Sequence, residues 1–111
     1  MSEPGKRISE GVSIEGVYLV EAEYTLEAGE RRPAVRGAHI TRLAALKREG
    51  TLVEAGAYSD RLTSSLLILR VGSEDEALAI AREDIYVASG VWGDIRDRPF
   101  GRVAVDGDGD G

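Results

Sequence analysis

The 111-residue chain has no cysteine, one histidine, one tryptophan, one phenylalanine and one methionine. Without cysteine there is no disulfide, no thiolate nucleophile and no thiolate metal site. One imidazole alone does not make a typical zinc centre, so no metal is expected. No glycine-rich loop of the Walker or dinucleotide type is present either, and no cofactor is expected. The longest apolar runs fall far short of the roughly 20 residues that span a bilayer, which argues against a membrane partner. The first sixteen residues contain Lys6 and Arg7 but no apolar stretch like that of a signal peptide, so a cytoplasmic location is expected. Excess positive charge is also missing: 14 Lys and Arg stand against 20 Asp and Glu, for a net charge of −6. A chain that grips phosphate backbones needs the reverse balance, so nucleic acid is excluded as a main partner.

What is present is enough for one domain and one core. A chain this size buries about 60–70% of its unfolded surface, a modest reserve that oligomerisation would extend. Residues 1–16 mix Pro, Gly, Ser and charge without a period and read as a flexible leader. Residues 17–105 form the domain. Residues 106–111 are a disordered Asp-Gly tail whose Asp106, Asp108 and Asp110 carry half of the net charge. That tail imitates the opening of a calcium loop, but the chain stops before a glutamate at position twelve.

Within the domain, residues 17–25 alternate as a half-buried strand, with Tyr18, Val20, Ala22 and Tyr24 on one face. Pro33 suits a first helical turn, and a helix is expected from there to Glu49, stopped by Gly50. A second strand covers residues 51–58, with a turn at 59–64. Leu66, Leu67, Ile68 and Leu69 then follow without alternation, so the third strand is apolar on both faces. Ser73-Glu74-Asp75-Glu76 fits a capping box ahead of a helix over residues 74–82. Residues 84–89 suggest a short helical turn closed by Gly90. The final extended segment, residues 91–105, contains Pro99 and reads as an edge strand. The order βαββαβ predicts an α+β, ferredoxin-like fold with an antiparallel sheet and both helices on one face. The uncovered face of a sheet whose third strand is apolar on both sides calls for another layer, and a second copy in a homodimer packed sheet to sheet is its simplest source.

His39 is the first candidate for chemistry. Val35, His39, Leu43 and Leu46 share one helical stripe, so the imidazole occupies a position expected to hold a leucine. Histidine changes charge near neutral pH, and a partly buried one can act as general base or acid; the competing reading is a core residue with one satisfied hydrogen bond. Two carboxylates compete to orient it. Asp84 either holds the ring or caps the turn that follows it. Asp60 either reaches the histidine or is an ordinary exposed turn residue. Arg36, three residues before His39, has the planar fork that suits a substrate carboxylate or phenolate, and a surface ion pair is its alternative. Tyr86 and Trp92 either line a pocket for an aromatic ligand or fill the core between two copies, the latter being preferred.

The runs Val35-Arg36-Gly37-Ala38-His39-Ile40-Thr41-Arg42-Leu43, Ala55-Gly56, Asp84-Ile85-Tyr86-Val87-Ala88-Ser89-Gly90-Val91 and Arg98-Pro99-Phe100-Gly101, in this order, resemble the YciI (YCII-related) family. The resemblance implies a dimeric α+β barrel assembled from ferredoxin-like halves, with a pocket holding a histidine and an aspartate. On it, His39 and Asp84 match the family pair and Tyr86 the aromatic position. It further implies an enzyme-like protein acting on small organic molecules: one relative acts as a dehydrochlorinase on a chlorinated hydroxyquinol, and related barrels isomerise lactones. Ile85 and Ala57 stand where the family pattern has proline, and the turn at 59–64 is short beside the glycine-rich loop of many members. The function expected is proton transfer by His39 and Asp84 on a small hydroxylated, carbonyl or lactone substrate, with Arg36, Asp60, Tyr86 and Trp92 as binding residues. The alternative is a non-catalytic module of the same fold that binds a small ligand or a protein.

Overall fold

Side-chain alternation in the long second strand sets the centre of the sheet. A computed structural model describes residues 6–106. The elements are β1 (Lys6–Ser9), β2 (Val12–Tyr24), α1 (Ala28–Glu49), β3 (Leu52–Ala57), β4 (Ser64–Leu69), α2 (Glu74–Arg82), the single-turn α3 (Ile85–Ala88) and β5 (Trp92–Val105). β2 pairs antiparallel with β4 on one side and with β5 on the other, and β3 pairs with β4. The body of the sheet therefore runs β3-β4-β2-β5, with the first and third strands of a βαββαβ unit in the middle: an α+β, ferredoxin-like arrangement.

Register decides which residues share a face, because directly paired residues project to the same side. Val20 lies opposite Leu67 and Tyr18 opposite Leu69. Val20, Leu67 and Leu69 are fully buried against Ala77 and Ala81 of α2, and Val35, Leu43 and Leu46 of α1 pack on the same cluster. Each fully buried aliphatic side chain here contributes on the order of 1.5–3 kcal/mol. On the opposite face, Leu19 pairs with Ile68, and Val17 with Phe100. Leu66 and Ile68 are half-buried there and Phe100 is exposed, so the expected two-faced apolar strand is present in β4.

α2 runs over the expected residues. Its cap Ser73 is extended, and the Ser73 hydroxyl accepts the Glu76 N–H at 3.2 Å. The Glu76 carboxylate accepts the Gly72 N–H at 3.0 Å, one residue before the position a standard capping box uses. α1 ends at Gly50, whose φ of 87° is the left-handed conformation expected there.

Two expectations need correction. α1 begins at Ala28, so Pro33 lies in its second turn and not at its start. Pro33 offers no N–H to the Gly29 carbonyl; Gly29 is exposed, so water can serve that group in its place. The earlier start is secured by Ala28, which is buried in the core and donates its N–H to the Thr25 carbonyl. The supposed leader is also partly structured: β1 pairs with the beginning of β2, and β2 starts five residues earlier than its alternation suggested. Gly16 interrupts the side-chain pattern without interrupting the strand, since it faces Gly101 of β5 across the ladder. Residues 1–5 of the expected leader and 107–111 of the expected tail lie outside the described residues, while Asp106 donates its N–H to the Gly11 carbonyl.

Replacing Ser73 with Ala removes the acceptor for the Glu76 N–H. Denaturant unfolding should show a loss of about 1 kcal/mol; an unchanged midpoint would mean that the cap contributes nothing.

Candidate functional site

The stripe Val35, His39, Leu43, Leu46 carries His39 into the core, where the residue is only 5% exposed. A ring this deep needs a partner for its N–H. The Asp84 carboxylate, itself 1% exposed, supplies it: Nδ1 of His39 lies 2.8 Å from Oδ1. The same Oδ1 accepts the Tyr86 backbone N–H at 2.9 Å and so caps α3. Asp84 thus contacts the ring and caps the turn with the same oxygen. That cap places the Tyr86 ring flat against the imidazole, centroids 3.7 Å apart and planes within 10°. Trp92 stands edge-on to both rings, 5.2 Å from His39 and 5.4 Å from Tyr86. The chain reaches Trp92 through Gly90, which has a φ of 78° and whose carbonyl accepts the Thr25 hydroxyl at 2.6 Å.

The second carboxylate oxygen, Oδ2, accepts from Nη1 of Arg42 at 3.0 Å, while Nη2 of Arg42 donates to the Ile80 carbonyl at 2.8 Å. Burial pushes the Asp84 pKa up, but the bonds from His39, the Tyr86 N–H and Arg42 together outweigh it and hold the group below the ordinary carboxylate value. Asp84 is therefore a carboxylate at neutral pH. An anionic acceptor at Nδ1 fixes the neutral ring as the Nδ1–H tautomer and leaves the lone pair on Nε2.

His39 forms part of the wall of a cavity of about 340 Å³. Tyr24, Tyr58, Tyr86 and Trp92 supply aromatic surface, Arg32 and Arg36 charge, and Ser65 a hydroxyl. Of the residues singled out in the sequence, His39, Arg36, Tyr86 and Trp92 line this space, and Asp84 stands behind the histidine. Asp60 does not belong to the group. It lies exposed in the turn after β3, accepts the Arg61 N–H at 3.0 Å and is absent from the cavity wall. Tyr86 and Trp92 are buried inside a single chain, so the core they fill is not one shared between copies. Sequence reasoning missed Arg42 and Arg32. Arg42 follows His39 by three residues on the same helix face. Arg32, Arg36 and His39 are spaced four and three apart, a stripe concealed by starting the helix at Pro33.

A family model for the YCII-related domain matches residues 15–100. The chain is 33% identical over 96 residues to Protein YciI of Escherichia coli and of Shigella flexneri, covering 78% of this chain and 98% of each relative. It is also 33% identical over 95 residues to a protein of Haemophilus influenzae, covering 97% of that relative. Among solved structures it is similar to the 5-chloro-2-hydroxyhydroquinone dehydrochlorinase TftG of Burkholderia phenoliruptrix, in complex with 2,5-dihydroxybenzoquinone. The TM-score is 0.65 at 18% identity, over 76% of this chain and 92% of the other. At that identity the likeness is one of fold.

Replacing Asp84 with Ala should destabilise the protein by about 3 kcal/mol at neutral pH, since it strips His39, Arg42 and the Tyr86 N–H of their shared acceptor. The folded-state pKa of Asp84 is depressed, so its contribution is complete above the ordinary value of 3.8 and is lost as pH falls through the lower folded value. The part of the stability gap that comes from the Asp84 charge should therefore close as pH falls below about 4. A gap that stays fully open well below that pH would contradict this assignment.

Proposed function

The chain belongs to the YCII-related family, and on that premise we propose that it is a small enzyme in which His39, oriented by Asp84, moves a proton on a small hydroxylated, carbonyl-containing or lactone substrate. The observation that carries this reading is the 2.8 Å contact between Nδ1 of His39 and a buried, ionised Asp84, in the wall of an aromatic-lined cavity. With Nδ1 engaged, Nε2 is the nitrogen left to take a proton from a hydroxyl or from carbon beside a carbonyl. Asp84 stabilises the imidazolium so formed, and the proton returns to another atom of the same molecule or departs with a leaving anion. A cavity of about 340 Å³ is at the small end of ligand sites and suits a single ring. The dehydrochlorination named for the structural neighbour belongs to this class of proton-coupled chemistry.

The assembly that goes with this reading is a homodimer. Leu19, Leu66, Ile68 and Phe100 make an apolar strip on the sheet face that the helices leave open, and a second copy packed on it would cover them. A cytoplasmic setting is part of the proposal; among the described residues, no helix is long and apolar enough to cross a membrane.

One observation favours the non-catalytic alternative. The imidazole is stacked on Tyr86 and almost wholly enclosed, as a purely structural histidine would be.

His39→Asn separates the two readings, because it roughly keeps size and hydrogen bonding while removing the titrating nitrogen. Against a panel of lactones, quinols and halogenated phenols, kcat/KM should fall at least about 100-fold in a variant that retains the native circular dichroism. Undiminished turnover by the variant would refute the catalytic role. Light scattering at micromolar concentration should give twice the 11.9 kDa mass of one chain, and a monomeric mass would remove the dimer.

A further inference from the structure

Two residues of the cavity wall each carry a nitrogen donor that has no acceptor among the described residues. Nε1 of Trp92 and Nε of Arg32 are both shielded from water, and neither has a hydrogen-bond partner among the described residues. Both residues line the same cavity as His39. Buried N–H groups are nearly always paired, because shielding a donor without an acceptor is unfavourable. The wall therefore has donor capacity to spare at two points.

The charge around the cavity says what kind of acceptor fits. Arg32 and Arg36 line it and no Asp or Glu does, in a chain where acids outnumber bases 20 to 14. Asp84 stands behind the imidazole and is matched by Arg42 and His39. The Arg32 guanidinium is also held in place: it lies 5.8 Å from the Tyr24 ring centroid. Tyr24 is fixed in turn by the Ser65 hydroxyl, which donates to its phenol oxygen at 2.9 Å. At Tyr86, burial raises the hydroxyl pKa while the nearby Arg32 pulls it down.

We propose that the cavity takes a small planar oxyanion, a carboxylate, phenolate or enolate on a single ring, whose oxygens accept from Trp92 Nε1–H and Arg32 Nε–H. The ring lies among Tyr24, Tyr86 and Trp92, and Arg36 adds charge beside Arg32. The proposal rests on reading this cavity as the substrate site, not on proton transfer by His39. A guanidinium and an indole N–H set in advance would hold negative charge on a substrate oxygen without reorganising, which is where they would help chemistry most.

Because the chain has one tryptophan, its indole N–H gives one cross-peak in a 1H–15N spectrum. Titration with benzoate and, separately, with 2,5-dihydroxybenzoquinone at a pH where it is ionised should move that peak saturably. Neutral benzamide should bind at least about tenfold more weakly than benzoate. Arg32→Gln should weaken the anions about tenfold or more, and Arg32→Lys should recover part of the loss, since it keeps the charge without the planar fork. Should Arg32→Gln fail to fold, calorimetry on Trp92→Phe, which keeps a ring but removes the donor, should show a similar loss. A response to only one of the two anions identifies which oxyanion the site prefers and upholds the proposal. It is overturned if neither anion shifts the indole peak at millimolar concentration, if benzamide matches benzoate, or if the folded variants bind as tightly as the parent. Since binding is what is read, the outcome is separate from whether His39 catalyses anything.

Discussion

A single buried carboxylate holds the site together. Asp84 accepts from an imidazole, a backbone N–H and a guanidinium, and these donors come from α1, from α3 and again from α1. Sheltered from water, such bonds are stronger than at the surface, and an unpaired charge there would be intolerable. The three donors and the carboxylate therefore come as a set. Their union ties the middle of the long first helix to the turn that delivers β5, and it fixes His39, Tyr86 and Trp92 as three mutually packed rings.

The sheet explains why the site lies where it does. β2 and β4 bury Val20, Leu67 and Leu69 under the helices, and this layer supports the α1 stripe that carries His39. Between the helix face and the β3–β4 side of the sheet remains the aromatic-lined cavity, with Arg32 and Arg36 on the α1 side. The opposite face of the sheet keeps a strip of half-covered apolar side chains. The fold thus provides the aromatic-lined cavity on the helix side of the strands and an apolar surface on the other.

Much of this was legible in the residues. The period of residues 35–46 put His39 on the inward face, and the Ser73 cap and the Gly50 stop marked helix ends by their own hydrogen-bonding and backbone chemistry. Unbroken Leu66 to Leu69 announced a strand with two apolar faces. The preference for Asp84 over Asp60 was legible only through the family resemblance, because both are aspartates in turns and only the tertiary path brings one of them to the ring. Pro33 misled: a proline tolerated in the second turn looks in sequence like a first-turn residue, and the false start hid Arg32 from the stripe it shares with Arg36 and His39. Gly16 misled in the same way, since a cross-strand glycine pair leaves no side-chain period to read.

The claim on which this account depends is that Asp84 holds His39 as its Nδ1–H tautomer. Long-range 1H–15N correlation on the single histidine reads that state directly, without ambiguity of assignment. In the neutral ring, Nδ1 should give the pyrrole-type shift and Nε2 the pyridine-type shift, and Asp84→Asn should disturb that preference. A ring protonated on Nε2, or one whose tautomer is indifferent to Asp84, would contradict the account.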